Sequence, residues 1–416
     1  MNIFSEQYSE LTLTLTKQLS KAEKKEYGIF ITPRSTIKEL YQSIMTVDPT
    51  MMPDIKNVLE PSCGTCEMIN YFSENLNNVA FDCIEYNETI FDAIKSMSFT
   101  NVTNSVSFYK MDFMDYKSDK LYDLIVGNPP YFVCKKEKVP SELNEFIIGR
   151  PNIFGLFILK SITLLKPNGI LAFIIPRSFL NSIYYSKIRD FIKKTCRIIT
   201  IEDYDAIDND FIDTDQMTIG LVIQRLEHNC EHLEDCPYSL KLNNSFIFSD
   251  NSLQLKELFE GSTTIEKMGL KVRTGQIVWN EHKDILSDNE DHSLLIYNTN
   301  ISKNNTLEIK KFKNEQKGQY IDRDGRIDPV LVVNRGNGNS KYKLNYAVIT
   351  VGPYLVENHL NEIYSPKKIN KEELLDLYKK IMASFQNPKT QQFIDLFLGN
   401  NGLSKTELET IFPIYL

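Results

Sequence analysis

From Asn57 to Arg225 short apolar runs alternate with segments of helical periodicity, and this alternation restricts the fold more than any other feature. Runs at 57–60, 79–84, 106–111, 121–126, 170–175, 197–204 and 216–224 read as seven strands. Between them, Met68, Ile69, Phe72 and Leu76 share one helical face, as do Ile90, Phe91, Ile94 and Met97. A helix over 153–165 stops at Lys166-Pro167-Asn168-Gly169, and 178–193 reads as another helix. Strands alternating with helices build crossover units. The expected class is therefore α/β, with a seven-stranded doubly wound Rossmann-like domain.

A chain of 416 residues is too long for one ordinary core, and its texture changes after this region. Residues 1–26 read as an exposed amphipathic helical segment, and Ser35 as an N-cap for a helix burying Ile37, Leu40, Tyr41 and Ile44. The first domain is expected over 27–226 and a linker over 227–240. A second, α+β domain is expected over 241–416, with short strands at 277–279, 294–297, 330–333 and 346–351 and helices at 371–385 and 390–398. The net charge of −8 argues against binding nucleic acid over the whole surface but leaves room for a local basic cleft. The seven scattered cysteines fit a reducing compartment, no apolar stretch is long enough for a bilayer, and the polar start resembles no secretory signal. The expected location is the cytoplasm.

The fourth strand runs into Asn128-Pro129-Pro130-Tyr131. Two prolines remove two backbone donors and fix two φ angles, so a rigid loop carries an amide and an aromatic ring at a strand's carboxyl end. Such a loop suits gripping a planar amino group. The Asn128 oxygen and the Pro129 carbonyl each accept one N–H, and Tyr131 stacks on the attached ring. Upstream, the strand ending at Glu60 leads through Pro61-Ser62-Cys63-Gly64-Thr65-Cys66 into a helix, the opening of a nucleotide-binding βαβ unit. Glu85 follows about twenty positions later, where such a unit presents an acid to ribose hydroxyls. Cys63-x-x-Cys66 resembles a redox or zinc pair, but within a strand–turn–helix it reads as the filling of that turn; His228, Cys230, His232 and Cys236 lack a standard zinc spacing and read as an exposed linker, so no metal is expected. Trp279, the sole tryptophan, is expected in the core. The loops of 303–343 are rich in Lys, Asn and Gly. Arg335 lies among them between Asn334 and Asn337, side-chain types that read base edges.

With these blocks in this order, the sequence resembles the TaqI-like DNA adenine-N6 methyltransferases, in which cofactor motifs come first, Asn-Pro-Pro-Tyr next and a target-recognition domain last. The resemblance covers 27–225 well and the C-terminal half more thinly, through 272–280, 334–338 and 356–361. It implies S-adenosylmethionine as cofactor. Thr32, in the block from Gly28 to Pro33, would bond near its methionine moiety, and Glu60, Pro61 and Gly64 would form the first cofactor motif. Glu85 would take the ribose hydroxyls, and Asp112 the cofactor's adenine amino group with Phe113 packed on that ring. Asn128 to Tyr131 would hold the target adenine, and Phe211 would stack on its other face. Arg273 and Arg335 become candidate DNA contacts. The implied partners are double-stranded DNA and a cognate restriction endonuclease on a separate chain. Cys66 stands where the group commonly has glycine, and is expected to narrow the approach of a ligand to the backbone. Two alternatives stay open: alkylation of another planar nitrogen (guanine N2 of ribosomal RNA or a protein glutamine), and a non-catalytic DNA-specificity subunit.

Overall fold

The computed structural model of the chain describes residues 7–18, 32–50, 52–98, 101–204, 217–228, 236–243, 245–314, 316–336, 342–398 and 402–416. The chain divides into two compact units, Met1–Leu240 with Phe246–Ser252, and Lys241–Ser245 with Leu253–Leu416. Among the described residues no helix is long and apolar enough to cross a membrane.

The first unit contains helices α1 (Glu10–Gln18), α2 (Arg34–Met45), α3 (Glu67–Asn75), α4 (Glu88–Ile94), α5 (Ile153–Leu164) and α6 (Ser186–Thr195). Its strands are β1 (Asn57–Glu60), β2 (Ala80–Glu85), β3 (Ser105–Lys110), β4 (Tyr122–Gly127), β5 (Leu165–Pro176), β6 (Cys196–Asp203) and β7 (Thr218–Arg225). They form one sheet in the order β3-β2-β1-β4-β5-β7-β6. The strands from β3 to β5 are parallel, and β7 lies antiparallel between β5 and β6. The chain therefore starts in mid-sheet, winds out to β3 and returns to the other side of β1 as β4. The crevice beyond the carboxyl ends of β1 and β4 is the switch point of such a sheet, where ligands bind.

The continuous apolar runs follow from burial on both faces. Leu59, Ile125, Leu171 and Phe173 pack into a core with Phe154 and Ile158 of α5. Their neighbours Val58, Leu124, Ile170 and Ala172 enter a second core with Ile37 of α2 and Phe72 of α3.

Three segments depart from the sequence reading. The segment over 178–193 is helical only from Ser186; before it lie two single turns, Arg177–Leu180 and Ile183–Tyr185. The cause is Arg189, fully buried, whose guanidinium donates to the carbonyls of Phe179 (2.8 Å), Ser182 (2.8 Å) and Phe246 (3.0 Å). Carbonyls turned toward an arginine cannot continue a helical ladder. Residues 135–150, charged and without periodicity, read as a mobile loop over the site, yet they form two short turns anchored by buried Val139 and Leu143. The amphipathic N-terminal helix is not exposed along its length, because Thr12 and Leu15 of α1 are buried.

The second unit holds two four-stranded sheets. Its strands are β8 (Lys271–Thr274), β9 (Leu286–Ser287), β10 (Ser293–Ile296), β11 (Tyr320–Ile321), β12 (Val330–Asn334), β13 (Tyr346–Ile349), β14 (Tyr354–Val356) and β15 (Leu360–Tyr364). The sheet orders are β8-β15-β12-β13 and β9-β11-β10-β14. Helices α7 (Lys371–Phe385), α8 (Pro388–Phe397) and α9 (Lys405–Thr410) follow. The expected strand at 277–279 is a single bridge, Ile277 to Glu357, and then a turn at Trp279–Glu281. Trp279 is half-buried, packed on Ile277, Leu295 and Tyr297.

Arg189→Ala leaves three carbonyls of the first unit without this donor. The Ser182 carbonyl keeps the Tyr185 N–H (3.2 Å). At about 1–3 kcal/mol for each of the other two buried groups, the variant is expected to lose at least about 2 kcal/mol. Urea denaturation measures this, and a loss below about 1 kcal/mol would contradict the assignment.

Candidate active site

The site is built at the carboxyl ends of β1, β2 and β4. β4 is buried throughout and delivers Asn128 with no freedom to slide. The Asn128 carboxamide is held at both ends. Its Nδ2 donates to Thr32 Oγ1 (3.0 Å), and its Oδ1 accepts from the Tyr131 hydroxyl. The same hydroxyl lies 2.8 Å from the Ile174 carbonyl of β5. The carboxamide is thus tied at one end to Thr32 and at the other, through the Tyr131 hydroxyl, to β5. Burial pushes the Tyr131 phenol well above its ordinary value, so it remains a protonated donor. Its ring stands edge-on to Phe154, with centroids 6.0 Å apart. Pro129 is buried and Pro130 half-buried, which keeps the loop rigid.

Beside this amide, Glu60 ends β1 and Glu85 ends β2. The Glu85 carboxylate accepts the backbone N–H of Gly64 (2.9 Å) and of Asn87 (2.6 Å), tying the turn after β1 to the start of α4. Glu60 is buried, and its Oε2 has no hydrogen-bond partner. Burial raises the Glu60 carboxyl well above its usual range, and the nearby Glu85 charge adds to this. Burial also raises Glu85, opposed by its backbone N–H partners. Gly64 has φ +50°, and a Cβ there would meet only open space. An orphaned carboxylate oxygen, a second acid and an uncovered glycine form a cradle suited to a cationic, hydroxyl-bearing ligand. These residues fit S-adenosylmethionine, whose sulfonium and amino groups are positive and whose ribose carries two hydroxyls.

Cys66 does not narrow that cradle. It adopts the left-handed conformation (φ 65°, ψ 23°), which explains why glycine would be at ease there, and its side chain is wholly buried. Its thiol packs with those of Cys63 and Cys83 beneath the turn. Among the described residues no group of three or more His, Cys, Asp or Glu side chains is arranged to hold a metal ion. Cys230 and His232 lie outside the described residues, as do Phe211 and residues 27–31.

Asp112 is half-buried after β3, where its side chain caps the next turn through Met114 N–H (2.8 Å). Phe113 is only 2% exposed, with Phe157 at 4.8 Å and the Lys160 ammonium at 5.1 Å from its ring. It anchors the loop from the core side and presents little open face. In the second unit Arg273 bonds Glu362 through Nε (3.0 Å) and Nη2 (2.9 Å), and stacks on Tyr364. Arg335 donates to the Asn358 carbonyl (2.9 Å). Both guanidinia are therefore engaged within their own unit.

The sequence reading missed two links. Thr32 and Asn128 are 96 positions apart, so no local pattern announces their bond. The other link joins α1 and the residue before it to the turn after β1. Thr12 bonds Thr65 Oγ1 (2.6 Å), and Ser9 bonds Glu67 through its N–H (2.9 Å) and hydroxyl (2.6 Å).

The raised carboxyls have a consequence for stability. Between the ordinary carboxyl value of 4.5 and their higher folded values, the folded state holds more protons than the unfolded state. Their contribution is present at low pH and lost as pH rises through that window. Glu60→Gln is expected to remove part of this slope, so that it gains on the parent as pH rises from about 4.5 to neutrality. Urea denaturation over a pH series measures it, and parallel curves would count against the buried-acid account.

Residues 27–209 match the family model described as Eco57I restriction-modification methylase. The Modification methylase CviBIII of Paramecium bursaria Chlorella virus NC1A is 26% identical over 416 residues, covering 100% of both chains. Type II methyltransferase M.CvrRI of Paramecium bursaria Chlorella virus XZ-6E is 25% identical, covering 98% of this chain and 99% of that protein. Type II methyltransferase M.AccI of Acinetobacter calcoaceticus is 28% identical over 266 residues, 58% of this chain and 48% of that one.

Proposed function

We propose that this protein is a DNA methyltransferase that transfers a methyl group to N6 of adenine. The observation that carries the reading is the oriented Asn128 carboxamide at the end of β4, set beside the Glu60–Gly64–Glu85 cradle. The names of the relatives, a modification methylase and Type II methyltransferases, support DNA as substrate.

S-adenosylmethionine is the methyl donor, supplying an electrophilic methyl on a sulfonium. Glu60 and Gly64 hold its methionine portion, Glu85 its ribose and Asp112 its adenine, with Phe113 flooring that loop. Thr32 serves both ligands, because its hydroxyl already carries the Asn128 amide. Adenine N6 is a weak nucleophile because its lone pair is delocalised into the ring. Asn128 Oδ1 takes one N–H, beside or in exchange for the Tyr131 hydroxyl, and the Pro129 carbonyl takes the other. Two acceptors set off the ring plane favour a pyramidal nitrogen, whose lone pair then points at the methyl. This is preorganised stabilisation of charge that develops only in the transition state. The alkylated nitrogen is acidic and releases its proton without a strong base.

A base inside a duplex cannot reach such a cradle, so the adenine rotates out. Tyr131 and Phe211 replace its lost stacking, worth roughly 1–3 kcal/mol per aromatic. The second unit, with Arg273 and Arg335 among its cations, is the reader of the recognised sequence, and any cognate restriction endonuclease is a separate chain.

Asn128→Ala is expected to fold and to bind S-adenosylmethionine in isothermal titration. Its transfer of tritiated methyl to DNA is expected to fall by roughly two to three orders of magnitude. Transfer near the parent rate would overturn the mechanism.

A further inference from the structure

The turn between β14 and β15 holds an arrangement that the reaction does not use. Glu357 is only 2% exposed, yet the group it serves lies in water. Its Oε2 accepts the backbone N–H of His359 (3.1 Å), and its Oε1 is bonded to His359 Nδ1. The His359 side chain is 67% exposed. The rest of the turn is fixed just as firmly. Glu357 N–H donates to the Ile296 carbonyl (3.0 Å) and Asn358 N–H to the Ile277 carbonyl (2.9 Å). From β12, Arg335 grips the turn's outer carbonyls, with its N–H on His359 (3.0 Å) and its guanidinium on Asn358 (2.9 Å).

Burying a carboxylate is costly, and a bond to an exposed partner returns little stability. Lys317 offsets part of the cost. Its ammonium sits 4.2 Å from the Tyr297 ring centroid and 4.6 Å from that of Phe312, within electrostatic influence of Glu357. What the arrangement achieves is direction. A carboxylate only accepts, so Nδ1 carries the proton it receives, and the opposite ring nitrogen, Nε2, becomes an outward acceptor at a fixed place.

We propose that His359 is a specificity-determining residue whose Nε2 accepts a hydrogen bond from an exocyclic base amino group, adenine N6 or cytosine N4, in the major groove of the DNA substrate. This rests on the DNA methyltransferase reading above. Glu357 is the positioning residue that aims the ring. Amino groups on base edges lie at different places in the major groove for each base pair, so one oriented acceptor distinguishes pairs.

The test is modified-base sequencing of a DNA library methylated by the full-length protein. The parent protein first defines the recognised sequence. If it methylates no DNA, the functional reading fails, and this inference falls with it. If it does, His359→Ala is expected to lose roughly ten- to a hundredfold of discrimination at one position while the other positions keep theirs. His359→Gln, with a differently placed amide, is expected to change preference at that same position, and serves if the alanine variant is poorly folded. Glu357→Gln should relax the same position to a smaller degree, which a general loss of stability would not do. An unchanged sequence logo for His359→Ala and His359→Gln would overturn the proposal while leaving the functional reading intact. So would a weakening uniform across all sequences with a shallower salt dependence, the mark of a backbone phosphate contact.

Discussion

The site depends on a single side-chain amide that cannot rotate. A primary amide in water presents oxygen or nitrogen with little preference. Here the Thr32 hydroxyl accepts from Nδ2, and the Tyr131 phenol donates to Oδ1. Because Tyr131 also reaches the Ile174 carbonyl of β5, the position of the amide is referred back to the sheet itself. A polar side chain at the end of β4 is therefore held in place by the fold alone. A rigid scaffold can in this way preorganise an uncharged polar group.

The cradle next to it works on the opposite principle. Glu60 and Glu85 are carboxyls kept in a place that disfavours their charge, and burial raises both. A site that stores unfavourable negative charge is relieved by a cationic ligand. Local instability of the cradle and any attraction it exerts on a cation thus have one physical origin. Gly64 leaves the space and Glu85 holds the turn's N–H, so shape and charge come from the same short segment.

Much of this was legible in the sequence because it is local. The apolar runs gave β1 to β5 to within a few residues, apart from the earlier start of β5 at Leu165, since strands buried on both faces have an unmistakable texture. Asn128, Gly64 and Glu85 lie at strand ends or in the turns beyond them, positions set by that same texture. The unread parts are contacts between distant segments. Nothing periodic in the chain announces that Thr32 will meet Asn128. Nor does Arg189 announce itself as a buried donor, since within a helical pattern it looks like an ordinary polar residue. The strands β14 and β15 were missed because each is short and the glutamate and asparagine beside and within them look like loop residues. Cys66 was read as an obstruction because sequence shows volume but not direction, and the backbone turns its thiol away from the cradle.

The bonds that tie the start of α1 to the turn after β1 have a further consequence. Ser9 and Thr12 hold Glu67 and Thr65 more than fifty residues ahead of them in the chain. The stiffness of the turn is thus partly borrowed from a helix that contains no recognisable motif. Mutational drift in that helix would loosen the turn while every signature residue stayed intact. Motif conservation alone would overstate how much function a divergent copy retains.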